Sequence, residues 1–204
     1  MRVYAETNWL LDLVFQQERF AASSFVLSLA QDRKIDLCLP EIIVWEGNQK
    51  VERRNAQRSD TIKGLRDQRR EFSRSQNPFY QSRSASLQVE IDELGTISGI
   101  EHKRFDQLID ELLPIATWLH LSQDIWAKCL DLQDQHELKQ TDALIYAIIR
   151  ADAALRPDVE KCFIDYDGAF SDPTLKQDMS ALGMTLLASS DAVTGFLQSR
   201  LTVT

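Results

Sequence analysis

Apolar positions along this chain follow two periods in turn, and their alternation predicts short strands separated by helices. RVYA (2–5) is a β-prone start, after which Trp9, Leu10, Leu13, Val14 and then Phe20, Phe25, Val26 and Leu29 recur at helical spacing. IDLCLP (35–40) predicts a second strand, stopped by Pro40, which also suits the first turn of a following helix. From Pro40 to about Ser75 only Gly47 and Gly64 interrupt, and polar residues dominate after Lys50, so a long, largely exposed helix is expected. The breaker pair Asn77-Pro78 marks 77–84 as loop.

Helical spacing returns over 85–113 through Leu87, Ile91, Leu94, Phe105, Leu108 and Leu112, and Pro114 ends it. IATWLHL (115–121) predicts a short strand. Ser122 then caps a helix to Asp134 whose inner side carries Ile125, Trp126, Cys129, Leu130 and Leu132. Thr141 is the expected cap of DALIYAIIRADAAL, a helix apolar nearly all round and so buried against a sheet. KCFID (161–165) predicts a strand, SDPTLKQDMSALG a helix capped by Ser171 or Asp172 and stopped by Gly183, and MTLLA (184–188) a last strand. Strands and helices alternating from end to end imply βαβ crossovers: an α/β protein with a parallel central sheet and helices on both faces. At 204 residues a single domain, 1–204, is expected, with a long helical elaboration at about 48–105.

Charge changes that picture in one place. The net charge is −8, yet residues 49–74 carry nine cations (Lys50, Arg53, Arg54, Arg58, Lys63, Arg66, Arg69, Arg70, Arg74) against four acids, a surplus of five that leaves −13 elsewhere. A basic arm on an acidic body is a polarised molecule. Such a run is most often just a solvated helix face; here it is also a candidate for sequence-independent phosphate contact through Lys50, Arg53, Arg54, Arg58, Lys63, Arg66, Arg69 and Arg70. Glu6 and Asp12 interrupt the first apolar run too early for a signal peptide, and no stretch reaches the length of a membrane span, so a cytoplasmic protein without a membrane partner is expected. Cys38, Cys129 and Cys162 have no metal-ligand spacing and read as buried free thiols.

In an open parallel sheet, ligands bind beyond the carboxyl ends of the strands. The polar residues expected there are all carboxylates: Glu6 after the first strand, Glu46 just inside the helix after the second, Asp142 at the start of the buried helix, and Asp165 and Asp167 after KCFI. Burying several carboxylates together is unfavourable unless protons or cations neutralise them. Oxygen-only donors select hard cations, Mg²⁺ or Mn²⁺, and two such ions can activate a water and stabilise the leaving oxygen of a phosphodiester.

These residues carry a family resemblance. YAETN (Glu6, Thr7, Asn8), LPEIIVWEG (Glu46), QTDALIYAII (Asp142) and FIDYDGAFSDP (Asp167) resemble, in order and placement, the four acidic motifs of the PIN-domain nucleases, a metal-dependent ribonuclease fold that includes many toxins of toxin–antitoxin pairs. The resemblance implies a PIN-like three-layer fold and an RNA-hydrolysing site. Glu6, Glu46, Asp142 and Asp167 would be its catalytic acids; Glu6, Asp142 and Asp167, with Asp165 beside them, would be its metal ligands. Asn8 and Thr141 would orient ligands or a water by hydrogen bonds. The sequence departs from the family in having Glu6 where Asp is usual, and in the longer, more basic segment from about 48 to 105. RNA is then the expected substrate, with a cognate antitoxin or a second copy of the chain as the expected protein partner.

Each residue has a plainer reading. Asp142 suits a helix N-terminus, Glu6 can cap the helix that follows it although Thr7 and Asn8 are better caps, and Glu41 competes with Glu46. Asp12, Asp106 and Asp110 read as solvated helix charges, and His102, His120 and His136 as surface or core residues. FIDYDGAF alone resembles the nucleophile motif of haloacid-dehalogenase-type phosphatases, but it sits too near the end of the chain for that family's downstream lysine and paired acids. A non-catalytic RNA- or protein-binding module that kept the fold is the remaining alternative.

Overall fold

Strands β1 (Arg2–Ala5), β2 (Asp36–Pro40), β3 (Thr117–Leu119), β4 (Lys161–Ile164) and β5 (Met184–Leu187) pair in parallel in the order β3-β2-β1-β4-β5. Every residue of β1 and β4 is buried, as in strands covered on both faces, and each strand is apolar after the buried cation that opens it, Arg2 and Lys161. Between them run α1 (Thr7–Phe15), α2 (Phe20–Gln31), α3 (Ile42–Ser73), α4 (Pro78–Leu112), α5 (Gln123–His136), α6 (Gln140–Ala154) and α7 (Pro173–Ala181), and α8 (Ser190–Leu201) follows β5. The computed structural model describes residues 1–201 and divides the chain into two units: Met1–Gly47 with the chain from Leu108 onward, and Asn48–Gln107. Among the described residues no helix is long and apolar enough to cross a membrane. All three cysteines are free and buried.

In the first unit α6 is packed as its sequence implies, with Ala143 to Ile149 buried without a break. Its direction is set by two contacts. Asp152, near its end, accepts from Tyr4 Oη at 2.7 Å and faces Arg2 Nε at 3.3 Å, at the start of β1, whereas the Tyr146 ring lies 5.9 Å from Phe170, beyond the end of β4. Helix α6 therefore runs opposite to the strands, and its first turn stands at their carboxyl ends.

Several local expectations are corrected. Segment 77–84 is not a loop: the Asn77 carboxamide accepts from Phe79 N at 2.9 Å and Pro78 opens α4, because Pro tolerates the first helical position as readily as it breaks a later one. Thr141 is not the cap of α6, which begins at Gln140. Trp126 and Leu130, one turn apart on α5, are exposed, and only Cys129 and Leu132 of that helix are buried. Asp12 is no solvated charge; it is buried in α1, and burial pushes its carboxyl above the usual range. Helix α8 was not anticipated, although Ser189 caps it and Val193 and Leu197 bury one face.

The second unit is a helical hairpin with a heptad-like seam. Along α4 the buried or half-buried residues include 84, 87, 91, 94, 98, 101 and 105, at steps of three and four, with 88 and 104 half-buried beside them; on α3 they include Val51, Asn55, Arg58, Ile62, Leu65 and Phe72, with Lys50 and Arg54 half-buried beside them. One layer of that seam is ionic: Arg58 Nη1 and Nη2 donate to Glu101 Oε2 and Oε1 at 2.6 and 2.7 Å. A fork of this kind sets register at a desolvation cost. Glu101→Leu alone strands the Arg58 cation and should lower protection of the hairpin amides against hydrogen exchange by about 2–3 kcal/mol, while adding Arg58→Met should restore most of it. Equal protection in both variants would show that the pair holds nothing.

Candidate metal centre at the carboxyl edge of the sheet

Strand order reverses between β1 and β4: the chain goes outward through β2 and β3, then returns past β1 to β4 and β5. Such a switch point leaves a crevice beyond the two strand ends, because the connections diverge to either side. Glu6 follows β1 directly and Asp165 follows β4 directly, so a carboxylate stands at the end of each of the two strands.

Glu6 is 4% exposed and does cap α1: its Oε2 accepts from Asn8 N at 2.7 Å. The extended backbone at Glu6 aims the longer Glu side chain back over the helix start, which the expectation that Thr7 or Asn8 would cap did not foresee. Oε1 reaches across to the loop after β4 and accepts from Tyr166 N at 3.4 Å. Asn8 then donates from Nδ2 to Asp167 Oδ2 at 2.7 Å, so the first turn of α1 and the loop after β4 are stitched together twice. Thr7 Oγ1 donates to Glu46 Oε2, which brings the half-buried Glu46 of α3 to the same helix start. Glu41, its competitor, faces another way, taking His120 Nδ1 at 2.7 Å and Leu121 N at 2.9 Å.

Asp165 is fully buried and its two oxygens accept from Gly168 N at 3.2 Å and Phe170 N at 3.1 Å. It shapes the loop, whose turn requires the positive φ of 78° that Gly168 supplies. Asp167 is exposed, with Oδ1 on Ala169 N at 3.0 Å. The residues two apart do not share a strand face, because β4 ends at Ile164.

Asp142 and Thr141, both half-buried, open α6 at this same edge.

The electrostatics follow from this crowding. Burial, added to by the charges of Asp167 and Asp165, pushes the Glu6 carboxyl up to about 8 against the two N–H donors that favour its charge. Burial raises Asp165 to about 6, with a hydrogen bond and charge shared with Asp167 adding to it. All-oxygen donors short of positive charge are the chemistry a hard divalent cation satisfies. Among the described residues, however, no three His, Cys, Asp or Glu side chains stand close enough together to hold a metal ion as they are. A separate cleft of about 530 Å³ between α5, α6 and α7 has Arg150 bonded to Asp178 and His136 bonded to Thr174, so its polar groups largely satisfy one another.

The structure is thus an all-parallel α/β protein with a cluster of carboxylates at its topological switch point. Comparison of the chain with family models, with curated proteins and with solved structures finds no match.

Of the basic residues, Arg53, Lys63, Arg66, Arg69 and Arg70 are exposed, Lys50 is half-buried, and Arg54 lies 3.9 Å from Glu101. Arg58 is held by Glu101 in the hairpin seam, so its guanidinium is engaged before any phosphate arrives. The sequence reading missed that pair, although the steps of three and four that place both residues in the seam are present in the chain.

Proposed function

We propose that this protein is a divalent-metal-dependent endoribonuclease of the PIN-like three-layer type. The observation that carries the reading is the meeting of Glu6, Asp165 and Asp167 at the switch point, tied together through Asn8 and Tyr166 N; Asp142 opens α6, whose first turn lies at the carboxyl edge of the same sheet. Glu6, Asp142 and Asp167 are the residues that would hold Mg²⁺ or Mn²⁺, with Asp165 behind them. A cation bound there supplies Lewis acidity toward a phosphodiester and its attacking water. The chain's own groups do the positioning: Asn8 orients Asp167, Thr7 orients Glu46, and Asp165 holds the loop that presents Asp167. Thr141 precedes Asp142 in the first turn of α6 and is placed to orient a ligand or water. The exposed cations of the second unit supply strand affinity that weakens as salt rises. A toxin restrained by a cognate antitoxin is the cellular setting this reading carries, and a cytoplasmic one.

A second reading has its own support. Both oxygens of Glu6 and of Asp165 already accept backbone N–H groups, which is what a carboxylate kept for structure does in a non-catalytic RNA- or protein-binding module. The two readings part on one assay. Purified protein should cleave a fluorescent RNA with Mn²⁺ and stop with EDTA, and Asp142→Asn should fold and lose that cleavage. Absence of Mn²⁺ binding by calorimetry at millimolar concentration would select the non-catalytic module.

A further inference from the structure

The turn of the hairpin places two aromatic rings where polar loop chemistry was expected. Because Asn77 caps α4 and Pro78 opens it, Phe79 and Tyr80 fall in its first turn. Phe79 is 70% exposed and Tyr80 40%. The Tyr80 ring is anchored 5.3 Å from Phe72 of α3, and Phe79 meets Tyr80 edge-on at 5.5 Å, which leaves Phe79 open to solvent. Phe79, with 70% of its surface in water, adds little to the packing of the turn, and an open ring beside a second, partly exposed aromatic is a candidate contact surface.

The charges around them supply one. Lys63, Arg66 and Arg70 recur every three or four residues and so form one exposed stripe along α3 toward the turn, about 10 Å of helix rise, and the exposed Arg74 follows directly after the helix ends. Arg69 and Arg83 are exposed as well, and between residues 63 and 83 six cations oppose two acids. Lys63 and Arg70 meet Asp60 and Asp67 at 2.9 and 3.5 Å in exposed pairs that cost little to open.

We propose that the tip of this hairpin binds single-stranded nucleic acid, Phe79 and Tyr80 stacking on unpaired bases while the arginine stripe contacts the phosphates. Bases in a duplex are already stacked, whereas a single strand offers free faces to a ring, and every base has such a face. A bilayer is the poorer fit: the other residues between 75 and 83 are Ser, Gln, Asn, Pro and Arg, with no aliphatic side chain to insert. This deepens the nucleic-acid part of the proposed function and stands whether or not the crevice cleaves.

Fluorescence anisotropy in EDTA, with a short labelled RNA single strand and its duplex, tests it on the full chain. The single strand should bind more tightly than the duplex, Phe79→Ala with Tyr80→Ala should weaken it about tenfold or more, and Phe79→Trp should keep the affinity. Arg70→Gln with Arg74→Gln should weaken both forms and flatten the salt dependence. Equal affinity of the aromatic double variant with far-UV circular dichroism unchanged, preference for duplex, no RNA binding, or binding to phosphatidylserine vesicles in place of RNA would each overturn the proposal. Failure of Asp142→Asn to affect cleavage would instead count against the nuclease reading alone.

Discussion

Asp167→Asn should lower Mn²⁺-dependent RNA cleavage by about a hundredfold or more, the loss seen when a preorganised electrostatic contact is removed from an active site, with the fold intact. The side chain is exposed, and its two oxygens accept from Ala169 N and from the Asn8 carboxamide. An Asn at 167 keeps one acceptor for Ala169 N, and Asn8 can turn its carboxamide to offer oxygen to the new NH₂ group. What disappears is the charge. Its removal should also let Glu6 and Asp165 ionise more easily, since Asp167 contributes to the upward displacement of both. Carboxyl titration by NMR in EDTA therefore reports on the cluster independently of turnover. Wild-type cleavage rates together with unmoved titrations would remove Asp167 from the site.

The second large effect is on stability. Glu6 titrates near 4.5 in a solvated chain and near 8 in the fold, so between those values the folded protein binds more protons than the unfolded one. Stability from this group is fully present below about pH 4.5 and is lost as pH rises through 8. At about 1.4 kcal/mol per pH unit the loss is at most about 5 kcal/mol. Asp165 adds the same sign over the lower window from 3.8 to about 6. Glu41, Asp172 and Asp178 are held below their usual range and so act oppositely, only at more acid pH. Denaturant unfolding in EDTA should show the protein weaker at pH 8 than at pH 5, Mn²⁺ should rescue it at pH 8 far more than at pH 5, and Glu6→Gln should flatten the profile. Stability that does not change from pH 5 to pH 8 in EDTA would mean that Glu6 is not crowded as the structure has it.

Much of the architecture was legible because burial on both faces leaves no choice of residue. RVYA, DLCLP and KCFI are short, mostly apolar runs that read as covered strands, and ALIYAII, set in a longer run free of Gly and Pro, reads as a buried helix. What failed were positions where one residue type serves two structures. Asn77-Pro78 breaks a helix or begins one; in the fold Asn77 caps α4 and Tyr80 of its first turn packs against Phe72 of α3. Asp12 looks solvated because an acid usually is, and only the packing around α1 buries it.

The sequence by itself determined the α/β alternation, the order in which the acids follow the strands, and the separation of a basic segment from an acidic remainder, since periodicity and charge are local properties. Strand order belonged to the tertiary structure, because β1 pairs with β4 across some 155 residues and local pattern does not choose a partner at that range. That pairing is what brings Glu6 against the loop of Asp165 and Asp167 and makes their burial costly. The same distinction holds in the hairpin: the cations were visible along the chain, but only the packing of α3 on α4 engaged Arg58 with Glu101 and left Phe79 in solvent.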